Sequence, residues 1–430
     1  MTISDELTKL NTNLANSYTA ISDKGGTIPA SQNFDNLATA IDSIPSGSSD
    51  SNEEFLVRVI DYDGTIIKQA YLNIGDTFTL PTPPTHTGLV FQSWSSPENI
   101  TNNTVTVVDN DIIIGATYTT VSGHNEIEIV LDTTTGLTIS TSLSGSIDWG
   151  DGNTETGSGE ITHTYSDYGT YIIANDFTAP PLITGNDIFA VKGYHLAVAG
   201  DYVTPSQVGT HALKYITIAE GTNLGNLTEL LVPCVIYPPG TTSITLRGSS
   251  GKNAIRYIVI PNTVTSLSGN FNRYHTLKYL NLPNSIISAP NLYSISSSNG
   301  FYQTAVKDYA TISGITTIPL TAFTQAFLLE KLILREGITT LDNGNTALGS
   351  SQLFSLKYIK FPSTIETVSG LPPTAQYETV YDFSSCSSIP TLSAITTISS
   401  GAKIKVPQSL YNDWIVATNW STYAGYIIGV

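Results

Sequence analysis

Residues 277–283 read LKYLNLP, and this phrase decides the fold because close variants of it recur through the second half of the chain. Apolar residues occupy its positions 1, 4 and 6, as Leu277, Leu280 and Leu282 do. The alternation predicts a short strand with one buried face in each copy, and the recurrence predicts a solenoid. The other copies are LKYITI at 213–218, IRYIVIP at 255–261, LEKLIL at 329–334 and LKYIKFP at 356–362.

The spacing of the copies indicates the size of one turn. The copies at Ile255 and Leu277 begin 22 residues apart, and those at Leu329 and Leu356 begin 27 residues apart. The remaining intervals, 42 and 52 residues, predict a degraded copy between two clear ones. A unit of this length lies within the range of leucine-rich repeats. The alternative is that the similar segments arose by chance in a generic β-rich domain.

The repeat resembles the BspA-type leucine-rich repeat, most closely where ITTI at 315–318 is followed by Ala322-Phe323 and the LEKLIL phrase. The resemblance implies a solenoid over residues 179–403. Insertions rich in serine, glycine and asparagine at 247–253 and 294–300 replace the Ala-Phe step in other copies, and they are predicted loops on one rim.

The end of the chain reads as a terminal cap over residues 404–430, which a solenoid needs to cover its last core layer. Within it, residues 407–420 predict a short helix that presents Leu410, Trp414 and Ala417 on one side. The sequence of this segment also resembles the end of many BspA-like phage and gut-bacterial proteins.

Composition limits the function. The 430 residues carry 18 basic and 35 acidic side chains, a net charge of −17, and only 12% of the residues are charged. The sequence shows no basic run, which disfavours nucleic acid as a partner, and no apolar run long enough to insert in a membrane. Its start also lacks the features of a signal peptide. With two cysteines and no metal-ligand spacing, the sequence predicts no disulfide framework, metal or cofactor.

The first 47 residues predict two helices with apolar stripes, one over residues 4–24 and one near 33–44, followed by a linker at 48–53. Each stripe needs a partner, which is either the other helix, a second copy of the chain or a docking protein. The predicted attachment or oligomer seam comprises Leu7, Leu10, Leu14, Ile21, Phe34, Leu37 and Ile41.

This segment is similar to the N-terminal segment of many tail and fibre proteins of phages that infect Gram-positive gut bacteria. The similarity rests on LTKLNTNL at 7–14, the Lys24-Gly25 stop and the AIDSIPSG end at 40–47. It implies attachment to other virion proteins, a homo-oligomer, and a location in the virion after assembly in the host cytoplasm.

Two small β modules follow. Residues 54–120 alternate in hydrophobicity around an Asp-Tyr-Asp-Gly turn at 61–64, and the order DYDGT, LPTPP and VFQSW resembles the β-grasp repeat of internalin B and Listeria-Bacteroides surface proteins. The resemblance puts Phe91 and Trp94 in the core. Residues 124–178 contain IDWGDG and HTYSDYGTY, which resemble the polycystic-kidney-disease (PKD) type of immunoglobulin-like sandwich. Turn chemistry explains the acidic residues at 148–155 better than a calcium loop does.

The chain lacks the sequence signatures of a nucleophile with a base, a phosphate-binding loop or a metal-binding histidine pair, so we expect no enzyme. Binding has more support. Tyr215, Tyr257, Tyr279 and Tyr358 share position 3 of the repeat phrase, and such a column predicts either a ligand-contact face or a structural stack.

The leading interpretation of function is a non-enzymatic virion appendage, a tail, neck or head fibre, that binds a host surface protein or glycan through the solenoid, with the two β modules as spacers. Two alternatives remain. One is a structural or decoration protein of the phage capsid or tail, and the other is a bacterial BspA-like surface adhesin.

Overall fold

The repeat phrases form a mainly β fold in the computed structural model, in which sheets are followed by a β-solenoid of about eight turns over residues 193–429. The chain divides into two units, Met1–Glu53 and Glu54–Val430. The structure describes residues 10–12, 14–15, 17–18, 29, 31–42, 54–131, 136–177, 182–185, 189–198, 201–202, 213–220, 223–224, 231–246, 254–289, 292–293, 300–342, 353–372 and 378–430.

The first unit contains helical residues between 10 and 18 and helix α1, Phe34–Asp42. Asn33 caps α1, because its side-chain Oδ1 accepts a hydrogen bond from the Asn36 N–H at 3.0 Å. Tyr18 and Ala40 are buried against each other, with Leu14 and Leu37 packed on them. These contacts show that the two helical segments pack on each other within one chain.

Residues 54–120, which we name the first module, form a four-stranded sheet of order β2-β1-β6-β4 and a small β3-β5 pair. The central strands β1 and β6 are parallel. The predicted turn after β1 is present, with Gly64 at φ 86°. The strands are β1 Glu54–Ile60, β2 Ile66–Asn73, β3 Thr77–Thr79, β4 Leu89–Ser95, β5 Thr104–Thr106 and β6 Ile112–Thr120.

Residues 125–196, the second module, contribute six strands to one sheet of order β11-β8-β10-β7-β12-β14, with β9 paired to β8. Strand β12 pairs with β7 on one side and with β14, the first strand of the solenoid phrase, on the other. The second module therefore continues directly into the solenoid. Its strands are β7 Asn125–Leu131, β8 Gly136–Asp148, β9 Thr154–Thr164, β10 Gly169–Asn175, β11 Leu182–Gly185 and β12 Phe189–Leu196.

Each solenoid turn adds one strand to a main row of parallel strands, which we call the main sheet, and, in most turns, one to a second row, which we call the second sheet. The main sheet contains β14 Tyr215–Ile218, β16 Cys234–Ile236, β18 Tyr257–Val259, β20 Tyr279–Asn281, β21 Asp308–Ala310, β23 Lys331–Ile333, β25 Tyr358–Lys360, β27 Val380–Asp382, β29 Lys403–Val406 and β30 Ile427–Gly429. The second contains β13 Asp201–Tyr202, β15 Asn223–Leu224, β17 Ser243–Thr245, β19 Ser266–Ser268, β22 Thr317–Pro319, β24 Thr340–Asp342, β26 Thr367–Val368 and β28 Thr391–Leu392. Hydrogen bonds divide the main row into β14, which joins the second module, β16-β18-β20 and β21-β23-β25-β27-β29-β30. They divide the second row into β13-β15, β17-β19 and β22-β24-β26-β28.

The two long intervals in the sequence each contain an additional strand, as the spacing predicts. Strand β16 lies between the phrases at 213 and 255, and β21 lies between those at 277 and 329. The Ala322-Phe323 step forms a 3-10 helix, Leu320–Phe323, with both residues buried. The predicted rim insertion 247–253 lies outside the described residues, as does all of 294–300 except Gly300.

The C-terminal cap differs from the predicted continuous helix. It contains a 3-10 helix at Gln408–Leu410, helix α2 at Tyr411–Trp414 and a second 3-10 helix at Trp420–Tyr426. Trp414 and Trp420 are both buried against the last turn, with ring centroids 5.4 Å apart. Six residues of continuous α-helix would place these two positions about 120° apart around the axis, and the break between the helices brings both rings into the core. The helices described are all too short to cross a lipid bilayer.

Candidate functional site

The outer face of the main solenoid sheet is the surface on which the sequence predicts ligand contact. Position 4 of each phrase points into the core, as the buried Leu280, Leu332 and Ile359 show. Because side chains alternate along a strand, positions 3 and 5 point to the outer face. The predicted tyrosines therefore lie on the outer side of the sheet, and their accessibility depends on what covers that side.

The first module covers part of this outer face. Ile60 of β1 and Ile113 of β6 form a buried cluster with Cys234, Tyr257 and Val259 of the solenoid. Packing is close enough that a Cβ on Gly115 would lie 2.7 Å from the Ile236 side chain. The first module is thus part of the folded unit and does not stand apart as the spacer that the sequence suggested.

Polar side chains fix the orientation of the first module on the sheet. Asn110 Nδ2 donates to Asn281 Oδ1 at 2.6 Å, and Asn281 Nδ2 donates to the Asp111 carbonyl at 2.7 Å. Ser95 Oγ donates to the Tyr237 carbonyl at 2.6 Å. Such directional bonds between buried groups allow a single register, because a shift would leave each group unsatisfied.

Arg335 forms the main ionic contact between the two parts. Its Nε and Nη2 each donate to a different oxygen of the Asp109 carboxylate at 2.9 Å, and its Nη1 donates to the Leu282 carbonyl and to Asn284 Oδ1. The Arg335 side chain is buried. A bidentate pair of this kind combines charge with fixed geometry.

Tyr215, the first predicted contact residue, is buried at the junction with the second module. Its hydroxyl donates to the carboxylate of Glu128, and its ring stacks on His195 with centroids 4.8 Å apart. Gly193 lies beneath the ring, where any Cβ would overlap it. Burial lowers the pKa of His195 to about 4, so this histidine is neutral near pH 7.

Tyr257 and Tyr279 form a parallel stack with centroids 5.1 Å apart and planes 7° apart. Arg58 of the first module lies over it, 4.6 Å from the Tyr279 centroid, and its Nη1 donates to the Tyr257 hydroxyl at 2.9 Å. Tyr257 is only 7% exposed, whereas Tyr279 is half-buried. Tyr215 and Tyr257 therefore do not face solvent, because the two modules cover them. The stack of Tyr257 on Tyr279 corresponds to the second of the two arrangements that the sequence left open, a structural stack.

Tyr358, the fourth predicted residue, lies beyond the covered part of the sheet. It is half-buried, and its hydroxyl donates to Asp382 Oδ2 at 2.7 Å. Tyr279 and Tyr358 are thus the two members of the column whose rings retain an accessible edge.

A cleft of about 430 Å³ opens at the edge of the first module on the sheet, between β1, β2 and the start of β6 on one side and strands β20, β21 and β23 on the other. Tyr71, 62% exposed, stands on one wall and Tyr279 on the other. Its charged lining includes the side chains of Lys278, Lys307, Asp111 and Asp308. Volume and lining suit a small polar ligand with an apolar face, such as one or two sugar rings.

Burial raises the pKa values of two carboxyl groups in the cleft. It raises the pKa of Asp111 to about 6, although the Leu56 N–H, which donates to Asp111 Oδ1 at 2.8 Å, opposes the rise. Burial also raises the pKa of Asp308. The Asp111 carboxyl group can therefore change charge in a mildly acidic range, and both carboxyl groups can accept hydrogen bonds from hydroxyl groups when ionised.

The carboxylates of the acidic turn in the second module accept hydrogen bonds from backbone N–H groups of the same turn. Asp148 Oδ1 accepts from the Gly150 N–H at 2.9 Å, and Asp151 contacts both the Asn153 N–H and His163 Nε2. His163 stacks on the buried Trp149, whose carbonyl accepts from Tyr165. Among the described residues no three metal-ligating side chains are grouped, here or elsewhere.

Two of the seven seam residues pack within the first unit. Leu14 and Leu37 join the Tyr18 cluster, whereas Leu10 and Phe34 are exposed. Leu7 and Ile21 lie outside the described residues, as does the side chain of Ile41. The sequence reasoning missed Tyr18, whose hydroxyl donates to the Asn33 carbonyl at 2.7 Å.

Neither a family model nor a curated protein matches the chain. Among solved structures it is similar to a leucine-rich repeat protein from Bacteroides ovatus ATCC 8483, at 14% identity and a TM-score of 0.18. The match covers 58% of this chain and 91% of that one. The strand register and the repeat phrase themselves identify residues 193–429 as a leucine-rich-repeat-like β-solenoid.

Proposed function

We propose that the protein is a non-enzymatic appendage of a phage virion that binds glycans of the host cell surface at the cleft between the first module and the solenoid. The observation that carries the proposal is the pairing of an exposed tyrosine, Tyr71, with Tyr279 across a cleft of about 430 Å³ lined by side chains of both charges. The exposed ring of Tyr71 offers a face on which a sugar ring can stack, and Tyr279 offers a partly exposed ring on the opposite wall. Sugar hydroxyl groups bond to carboxylate and ammonium groups.

The composite origin of the cleft supports a binding role. One wall is formed by β1, β2 and the start of β6 of the first module, and the other by the solenoid sheet. Arg335, Asp109 and the asparagine pair hold the two walls together. A site built between two locked elements is rigid before the ligand arrives, which lowers the entropic cost of binding.

The proposal also assigns a fold type to each of the two modules and a role to residues 1–47. We assign the first module to the β-grasp type, which its parallel central pair β1-β6 supports, and the second to the PKD-like type, which the buried Trp149 and Tyr165 support. Residues 1–47 attach the chain to other virion proteins, and the protein is homo-oligomeric.

Binding assays with a matched pair of variants test the site. Tyr71→Ala is expected to weaken binding to glycans released from Gram-positive gut bacteria about tenfold, since one stacking face is lost. Tyr168, 75% exposed in the second module, provides the control, and Tyr168→Ala is expected to bind as the wild type does. Equal affinities for all three proteins would refute the cleft as the site.

Two further measurements test the remaining claims. A reporter fused to residues 1–47 is expected to be captured by phage particles, and absence of capture would contradict the virion role. Because Asp111 and Asp308 line the same cleft, the bound glycan is also assayed for new reducing ends. If the wild type hydrolyses the glycan and Asp111→Asn abolishes this activity, the cleft is a catalytic site and the non-enzymatic proposal is wrong.

A further inference from the structure

The outer face of the main sheet carries six lysines from the edge of the first module onward, although the chain as a whole has a net charge of −17. We name this surface the lysine face. It begins at the cleft, where Lys307 and Lys331 are lining residues, and continues to β29. Lys331 contacts the first module, because its Nζ lies 3.9 Å from the ring centroid of Phe55. The members of the lysine face are Lys307, Lys331, Lys357, Lys360, Lys403 and Lys405, one third of the 18 basic residues in the chain.

Strand register places these lysines in three neighbouring columns. Lys307, Glu330 and Lys357 are linked by successive backbone hydrogen bonds just before their strands. Lys331, Tyr358, Val380 and Lys403 are direct partners at position 3. Lys360, Asp382 and Lys405 are partners at position 5.

Neighbouring strands lie about 4.8 Å apart, so the lysines follow the solenoid axis at regular intervals. Lys360 and Lys405 are two strands apart, about 10 Å, and Lys331 and Lys403 are three strands apart, about 14 Å. The sequence hides this arrangement, because the members are separated by whole repeats.

Most of the ammonium groups are accessible. Glu330 forms ion pairs with Lys307 at 3.0 Å and Lys357 at 2.8 Å, and the side chains of these two lysines are 53% and 55% exposed. Lys403 is exposed, and Lys360 and Lys405 are half-buried. Within the described part of the chain, these last three lysines belong to no ion pair of 4 Å or less.

The numbers of ammonium and carboxyl groups on the lysine face favour one class of ligand. The three columns contain six ammonium groups and three carboxyl groups, those of Glu330, Asp382 and Asp308, which is the strand partner of Lys331 at position 3. A nucleic acid places a charge every few ångströms along its backbone and would meet these carboxylates directly. A polymer with sparser charges and many hydroxyl groups can place its anions on lysines and its hydroxyls on the carboxylates.

We infer that the lysine face binds a linear anionic glycan, with carboxylate or phosphate as the charged group, that runs along the solenoid axis from the cleft. The inference rests on the proposed glycan-binding function and specifies the ligand class. The ammonium groups of Lys360, Lys403 and Lys405 contact the anions, and the exposed edge of Tyr358 contacts a sugar ring.

The full chain is titrated with four probes: polygalacturonate for carboxylate, poly(glycerol phosphate) for phosphate, dextran as a neutral glycan, and a single-stranded DNA 30-mer. The test variant is Lys360→Gln with Lys405→Gln. The control is Lys214→Gln with Arg256→Gln, which removes two exposed cations that precede strands elsewhere on the same sheet. Thermal unfolding checks that each variant is folded.

At least one anionic glycan is expected to bind more tightly than dextran, with an affinity that falls as salt rises. The test variant should lose about tenfold or more in affinity, because two charge-assisted hydrogen bonds disappear, and the control should stay within about twofold. Preference between polygalacturonate and poly(glycerol phosphate) identifies the charged group.

The contrary outcomes are distinguishable. Equal binding of dextran and the anionic glycans, unchanged by the lysine substitutions, would overturn the inference and leave the cleft proposal standing. Tighter binding of the DNA 30-mer than of either anionic glycan would also overturn it. Failure to bind glycans released from Gram-positive gut bacteria would count against the proposed function itself.

Discussion

Replacing Arg335 with methionine is expected to loosen the first module from the solenoid. The change removes two bonds of 2.9 Å to Asp109 and two others, to the Leu282 carbonyl and Asn284 Oδ1. It also leaves the Asp109 carboxylate, whose side chain is 22% exposed, without its counter-charge. Loss of one partner of a buried ion pair costs about 3–5 kcal/mol, and the partial exposure of Asp109 favours the lower end, about 3 kcal/mol.

A double-mutant cycle with Asp109→Asn isolates the pair itself, and about 2 kcal/mol of coupling is expected. Urea unfolding gives the stability, and hydrogen exchange at the amides of β6 and β18 shows where protection is lost. The exposed pair Lys307–Glu330 is the control, for which about 0–1 kcal/mol is expected. A coupling below about 0.5 kcal/mol for Arg335 and Asp109, with β6 and β18 still protected, would refute the reasoning.

Two further substitutions test the same packing. Asp111→Asn is expected to stabilise the protein at pH 7 by about 1–3 kcal/mol, because the folded state raises the pKa of Asp111 to about 6 and so disfavours its ionised form. A carboxyl group whose pKa is raised on folding lowers stability only at a pH above its pKa in the unfolded state. The difference in free energy of unfolding between Asp111→Asn and the wild type should therefore shrink as pH falls from 7 to 4 in urea titrations. A constant difference would contradict this cause. Gly115→Ala is expected to destabilise the protein by about 1–3 kcal/mol, because the added Cβ would lie 2.7 Å from Ile236, whereas Gly425→Ala, with open space around it, should be nearly neutral in thermal unfolding.

Local periodicity was sufficient to predict the solenoid, because each turn repeats the same apolar positions. It also located the missing copies, which the structure places at Cys234–Ile236 and Asp308–Ala310. The turn at 61–64 followed from a short motif in the same way.

The position of the first module on the sheet could not be predicted from local patterns. Arg58 contacts Tyr257, 199 residues away, and Arg335 contacts Asp109, 226 residues away. One signal was present in the sequence: β6 begins with Ile112-Ile113-Ile114, which is apolar on both faces and indicates a strand buried on both sides. The lysine face was hidden for a related reason, since repeats of 22 to 27 residues bring its members together only after folding.

Footprinting with hydroxyl radicals tests the central claim most directly, because the rings of exposed tyrosines react according to their accessibility. The chain is footprinted alone and with a saturating amount of glycan released from Gram-positive gut bacteria. On binding, Tyr71 and Tyr358 are expected to lose reactivity, whereas Tyr168 is expected to keep it. A bound glycan that leaves Tyr71 and Tyr358 fully reactive would contradict the claim that the cleft and the open sheet face form the binding surface.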